Sequence, residues 1–184
     1  MNFPIKVIDA CCKVREKYKR PDFIIGYRLS PEEPFNPGLT MDETLKLIKV
    51  LVTKPLQYIH ISQWNYFKKA RRGEGAGEER LKIIHNETKG KVALIGCGGL
   101  RSEEDLNRAV DTGFAEFIAV GGASMINKNL GILLKENKGN QLGLEIGPDH
   151  PEKYAMPDNL WKLSIQGIDY YPPVKGKATK RLDV

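Results

Sequence analysis

Arg28 is the first residue whose type and place suggest chemistry. It sits near the end of the run Phe23–Leu29, FIIGYRL. Alternation along a strand groups Phe23, Ile25, Tyr27 and Leu29 on one face and Ile24, Gly26 and Arg28 on the other. If the more apolar face packs on helices, the guanidinium points to the opposite side at the strand's C-terminal end. Parallel βα folds keep their ligand sites at that end. A cation there needs an anionic or hydrogen-bonding partner. The partner is either a ligand or a loop acid, Glu32 or Glu33.

Two glycine pairs are the next candidates. Gly98–Gly99 follows the apolar run Val92–Ile95, and Gly121–Gly122 follows Phe117–Val120. Glycine reaches positive φ and leaves bare N–H groups open to an anion. One such pair reads as a tight turn. Two pairs at successive strand ends, each leading into a helix, point to a bound phosphate. The spacing matches neither G-x-G-x-x-G nor the Walker A pattern, which excludes a Rossmann fingerprint and a P-loop.

Other reactive side chains have plainer readings. His60 lies mid-strand in YIHIS, facing with Tyr58 and Ser62, and reads as a hydrogen-bonded core histidine. His85 and His150 are far away in sequence, so neither a histidine metal site nor a triad is supported. Cys97, beside the first glycine pair, reads as a small buried filler rather than an activated thiol. The stretch WNYFKKARR has the stacking and basic residues of a single-strand binder but no RNP-type companion, so it reads as a site loop or lid.

These residues must be positioned by alternating elements. A helix is expected over Pro4–Tyr18, then strands at Phe23–Leu29, Tyr58–Ser62, Val92–Ile95 and Phe117–Val120. Helices are expected from Thr40 to Val52, over Arg80–Thr88, Glu103–Asp111 and Met125–Leu134, and a short one at Pro157–Gly167. The box T-M-D-E starts the second helix, and Ser102 followed by acids starts the fourth. The fold class is therefore α/β: a parallel (β/α)4 sheet with a C-terminal extension from about residue 139 and a basic, disordered tail from Pro172.

Composition narrows the function classes. The chain has 184 residues and a net charge of +6, enough for a real core. No apolar run approaches the roughly 20 residues of a membrane helix, and the first twenty residues lack a signal peptide's layout. Three cysteines without ligand spacing fit reduced thiols in a cytoplasmic protein. The basic runs Lys68–Arg72 and Lys175–Arg181 read as solvated surface, not as a nucleic-acid or membrane site.

Taken together, IIGYRLSPEE, YIHIS and IGCGGLRSEEDLNRAVDTGFAEFIAVGGASMINKN resemble the old yellow enzyme family of NADH:flavin oxidoreductases, over roughly Ile5 to Leu134. The resemblance implies a (β/α)8 TIM barrel with FMN at its C-terminal rim and NAD(P)H as hydride donor. The four strands match strands five to eight, so residues 1–138 would be the C-terminal half of that barrel and 139–184 an extension. Arg28 matches the arginine at the flavin pyrimidine edge. Gly98, Gly99 and Leu100 match the phosphate loop after the seventh strand, and Gly121 and Gly122 the loop after the eighth. Gly122 stands where the family has an arginine, a loss that Arg101 or Lys128 would have to offset. The substrate-binding His/His or His/Asn pair belongs to the first half of the family, so no catalytic residue is assigned. The expectation is an incomplete, weakly active or inactive half. It would act on a small molecule and pair with its own copy or with an N-terminal half-barrel. The alternative is a non-catalytic half-barrel that binds a phosphorylated ligand or serves in assembly.

Overall fold

The computed structural model describes residues 2–73 and 75–179. They form two compact units, one drawn from the described residues up to 98 together with 112–119, the other from 99–111 and the described residues from 120 onward.

The first unit holds α1 (Asn2–Lys17), β1 (Gly26–Leu29), α2 (Met41–Leu51), β2 (Tyr58–Ile61), α3 (Arg80–Thr88), β3 (Ala93–Cys97) and β4 (Phe117–Ala119). Its strands make one parallel sheet in the order β1-β2-β3-β4. This is the expected α/β alternation. β1 starts three residues later than its apolar run because the Phe23 N–H turns back to the Arg20 carbonyl at 3.1 Å. β3 runs on to Cys97 because Gly96 pairs with Ile61.

Register sorts the sheet into two faces. On one, Ile59 and Ile61 are fully buried and Leu94 is nearly so. α2 adds Met41, Leu45, Ile48 and Leu51, and α3 adds Leu81 and Ile84, to the same unit's buried set. Each such side chain contributes roughly 1.5–3 kcal/mol. The start of α2 is fixed as its sequence suggested. The Glu43 carboxylate accepts from the Thr40 backbone N–H at 2.8 Å and from its hydroxyl at 2.9 Å. The other face is the more open of the two, and a single cross-strand row on it reads Arg28, His60, Ile95, Phe117, of which the first and last are exposed and the middle two half-buried.

The second unit holds α4 (Glu103–Asp111), α5 (Gly122–Ile126), α6 (Leu130–Lys135), single 3-10 turns at Gly139–Gln141 and Pro151–Lys153, and α7 (Asp158–Ser164). The one helix expected over Met125–Leu134 is two. Asn127 breaks it by hydrogen-bonding elsewhere: its amide donates to the Ala123 and Gly143 carbonyls at 2.9 and 3.0 Å, and its oxygen accepts from the Gly143 N–H at 2.8 Å.

Disorder from Pro172 is also corrected for the described part of the tail. Val174 is 1% exposed and bridges Ile146, whose N–H donates to the Pro173 carbonyl at 2.7 Å. With Ile126 they form a small core, packed by Tyr154, Met156, Trp161 and Ile165. The last residues of the basic run, Lys180 and Arg181, lie outside the described residues.

Candidate ligand site

Arg28 is exposed on the open face of the sheet. Neither loop acid that could neutralise it does so. Glu32 is buried and pairs with Arg80, while its oxygens also accept from the Arg71 and Arg72 N–H groups at 3.0–3.2 Å. Glu33 accepts instead from the Leu39 N–H at 2.8 Å. The ion-pair explanation for Arg28 therefore loses both its candidates.

Sequence reading missed the Glu32–Arg80 pair because the two are 48 residues apart. One signal was present. Arg80 is the first residue of α3, where the helix dipole disfavours a cation unless an acid is near.

Neighbouring contacts alter the reading of WNYFKKARR as a lid. Lys69 and Glu79 form an antiparallel bridge, and the Arg80 N–H donates to the Lys68 carbonyl at 3.0 Å. Arg72 donates to the Glu33 and Phe35 carbonyls at 3.1 and 2.6 Å. The segment is an anchored arm that braces the loop after β1.

His60 pairs in register with Arg28 on the open face. It is half-buried, yet its Nε2 is covered and has no hydrogen-bond partner. The expected hydrogen-bonded core histidine is thus incomplete. Burial, and then the neighbouring Arg28 charge, hold its pKa below the ordinary histidine value. One step down the same face, the Tyr58 ring lies across Gly26, where an added Cβ would come within 2.1 Å of it. Cys97 is half-buried rather than the buried filler expected, and its Sγ donates weakly to the Ile61 carbonyl at 3.4 Å.

The glycine pairs divide. Gly98, at φ +128°, lies against the 63–65 backbone, and a Cβ there would meet the Gln63 carbonyl oxygen at 2.4 Å. Its carbonyl also serves the fold, accepting from the Tyr66 N–H at 2.9 Å. Gly99 has φ +66° and opens the second unit, where Leu100 is buried. The next two N–H groups, of Arg101 and Ser102, both donate to Asp105 at 3.2 Å. Gly121 has an ordinary φ of −94° and open space around its Cβ position, and Gly122 begins α5. Nothing in the packing of Gly121 requires a glycine. Lys128 is exposed and Arg101 half-buried.

Asp105 yields a pH test. Burial raises its pKa, but the N–H groups of Ser102 and Arg101 and the Ser102 hydroxyl outweigh this and lower it overall. A depressed carboxylate contributes stability above its unfolded pKa of about 3.9 and loses it as pH falls through the lower folded value. Denaturation measured across the acid range should show this loss in the natural chain and lack its Asp105 component in Asp105→Asn.

A parallel α/β sheet with a cation exposed at the C-terminal end of its first strand is the architecture of many anion- and cofactor-binding proteins. Comparison with known proteins identifies the class. Residues 1–141 match the model of the NADH:flavin oxidoreductase / NADH oxidase family, and the chain belongs to that family, the old yellow enzymes. FMN and NAD(P)H are the family's cofactors.

The chain is 34% identical over 170 residues to a probable NADH-dependent flavin oxidoreductase, YqiG, of Bacillus subtilis (strain 168), covering 92% of this chain and 45% of that one. It is 31% identical over 128 residues to an NADH:acrylate oxidoreductase of Vibrio harveyi, covering 68% of this chain and 13% of that protein. It is 30% identical over 166 residues to an NADH:fumarate oxidoreductase of Klebsiella pneumoniae (strain 342), covering 89% and 18%. The chain thus spans less than half the length of each of these relatives. Among solved structures, morphinone reductase in complex with tetrahydroNAD aligns with a TM-score of 0.54 at 22% identity, over 98% of this chain and 42% of that one. Histamine dehydrogenase from Rhizobium sp. 4-9 aligns at 0.51 and 20% identity, over 65% and 18%. These likenesses support the fold. No helix among the described residues is long and apolar enough to cross a membrane.

Proposed function

We propose that this chain is the FMN-binding half of an old-yellow-enzyme-type NAD(P)H oxidoreductase, with residues 1–138 as strands five to eight of the barrel and 139–184 as an extension. The observation that carries the reading is Arg28, exposed at the rim while both nearby acids are engaged elsewhere.

The residues present suit a flavin. The open-face row passes from cation to imidazole to aliphatic to aromatic, as a ring system with one polar and one apolar end requires. FMN, when bound, supplies two-electron chemistry: hydride acceptance from NAD(P)H and donation to an electron-poor alkene or another acceptor. Relatives named for acrylate and fumarate support that acceptor class. Arg28 would lie at the pyrimidine edge and stabilise negative charge accumulating there. Backbone N–H groups of Gly98, Gly99, Leu100, Gly121 and Gly122 would hold the phosphate. Of these, the loop at Gly121 has the room, and Gly122 brings no cation of its own.

Among the described residues the outer edges of β1 and β4 carry no further strand, and Ile24 and Phe117 are 64% and 59% exposed. Such edges and apolar surface favour pairing with further strands. We assign them to the remainder of the barrel or to a second copy, and the protein to the cytoplasm, where unpaired Cys11, Cys12 and Cys97 remain reduced.

A second reading has its own support: Gly98 is explained by packing alone, so the chain could be an assembly half-barrel without flavin. Absorbance spectra of the purified chain with and without FMN separate the two. Saturable uptake with a shifted flavin spectrum supports the first reading, and its absence the second. Weak or no NAD(P)H oxidation by the isolated chain is expected, with a self-associated species in sedimentation.

A further inference from the structure

We propose that His60 is a second ligand-facing group of this rim: its half-buried ring turns about the Cβ–Cγ bond when a ligand arrives, and its Nε2, covered and unpaired until then, hydrogen-bonds, directly or through one water, to the polar edge of the group that Arg28 holds. The inference deepens the flavin reading and rests on it.

Three observations converge. His60 is the direct register partner of Arg28 in the parallel β1–β2 pair, so their side chains leave the same face about 5 Å apart. The flanking Ile59 and Ile61 are fully buried on the opposite face, so His60 does not belong to the helix-packed core. Its Nε2 is covered, yet bonded to nothing.

An orphaned buried polar atom costs a fold about 1–3 kcal/mol and is normally paired. A fold keeps one where something else completes it. The groups beside His60 along its row are a guanidinium, which has donors only, and Ile95, which has no polar side chain. A neutral imidazole is the form that suits this place, because a second cation beside Arg28 would be repelled. Arg28 and His60 then present a charged donor and a neutral polar ring side by side. That arrangement reads a ligand edge with a negative or carbonyl oxygen next to another polar atom, and it discriminates against a bare phosphate, which needs only the cation.

The test uses the full chain and two variants. His60→Phe keeps a planar ring and removes the orphan atom. His60→Gln keeps a hydrogen-bonding group of similar reach. Melting temperature without ligand, and FMN affinity by fluorescence titration, are measured for each beside Arg28→Ala. His60→Phe should melt at or above the natural chain while binding FMN about tenfold more weakly, the loss of one hydrogen bond of about 1.4 kcal/mol. His60→Gln should recover affinity to within about threefold on the same scale. A lower melting temperature in His60→Phe with unchanged FMN affinity would make His60 a core residue and overturn the inference, leaving the flavin reading intact if Arg28→Ala still loses affinity. If neither the natural chain nor any variant takes up FMN, the flavin reading falls and the inference with it.

Discussion

Glu32→Ala is expected to destabilise the protein by about 3–5 kcal/mol, the usual cost of leaving one member of a buried ion pair alone. The two side chains are 0% and 6% exposed, so water cannot replace the lost carboxylate. The damage exceeds one contact, because the Arg71 and Arg72 N–H groups lose the same acceptor. For a chain of this size the melting temperature should fall on the order of 10 °C. Glu32→Gln keeps an acceptor for the N–H groups and should lose less. A double replacement, Glu32→Met with Arg80→Met, removes both charges and should recover much of the stability, since apolar isosteres often match a buried pair. A Glu32→Ala protein that melts with the natural one would show that the pair is solvated in solution. The same replacement frees Arg71 and Arg72 from the loop after β1, so hydrogen exchange at their N–H groups should rise before the global transition.

The second large effect separates two glycines that look alike in sequence. Gly98→Ala should cost about 3 kcal/mol or more, combining a backbone conformation that side chains rarely adopt with a clash against main chain. The obstacle is the Gln63 carbonyl and the Asn65 N–H, at 2.4 and 2.8 Å from the new Cβ, and backbone cannot turn aside as a side chain can. Gly121→Ala meets nothing within 4 Å and keeps an ordinary φ. Its stability should stay within about 1 kcal/mol of the natural chain, or rise slightly as the unfolded chain loses freedom. If the proposed phosphate loop is right, Gly121→Ala should still weaken FMN uptake. Equal stability losses in the two variants, measured by denaturant titration, would show that the open space at Gly121 is closed in solution.

Elements with local signals were legible from sequence. α3 and α4 have the bounds their residues suggested, Arg80–Thr88 and Glu103–Asp111. Acids crowd the first turn of α4, and the lysine in left-handed conformation at position 89 ends α3. The parallel order of the strands follows from their spacing. What failed needed a partner distant in sequence. Asn127 breaks a helix because Gly143 waits sixteen residues on. Val174 is core because Ile146 pairs with it. Glu32 leaves Arg28 unneutralised because Arg80 claims it. The candidate residues were legible in the same measure: Arg28 and the glycine loops are proposed from strand ends alone, whereas the case for His60 needs its register neighbour and its unbonded nitrogen.

The Ile146–Val174 bridge bears on how such a protein can be shortened. Similarity to the family model stops at residue 141, which invites trimming there. Packing draws the line elsewhere. Ile126, inside the matched region, is covered by two residues beyond it, so a chain cut at 141 would present a bare apolar stump to solvent and to proteases. The family model marks one edge of this molecule and cohesion another, and a minimal fragment must respect the later of the two.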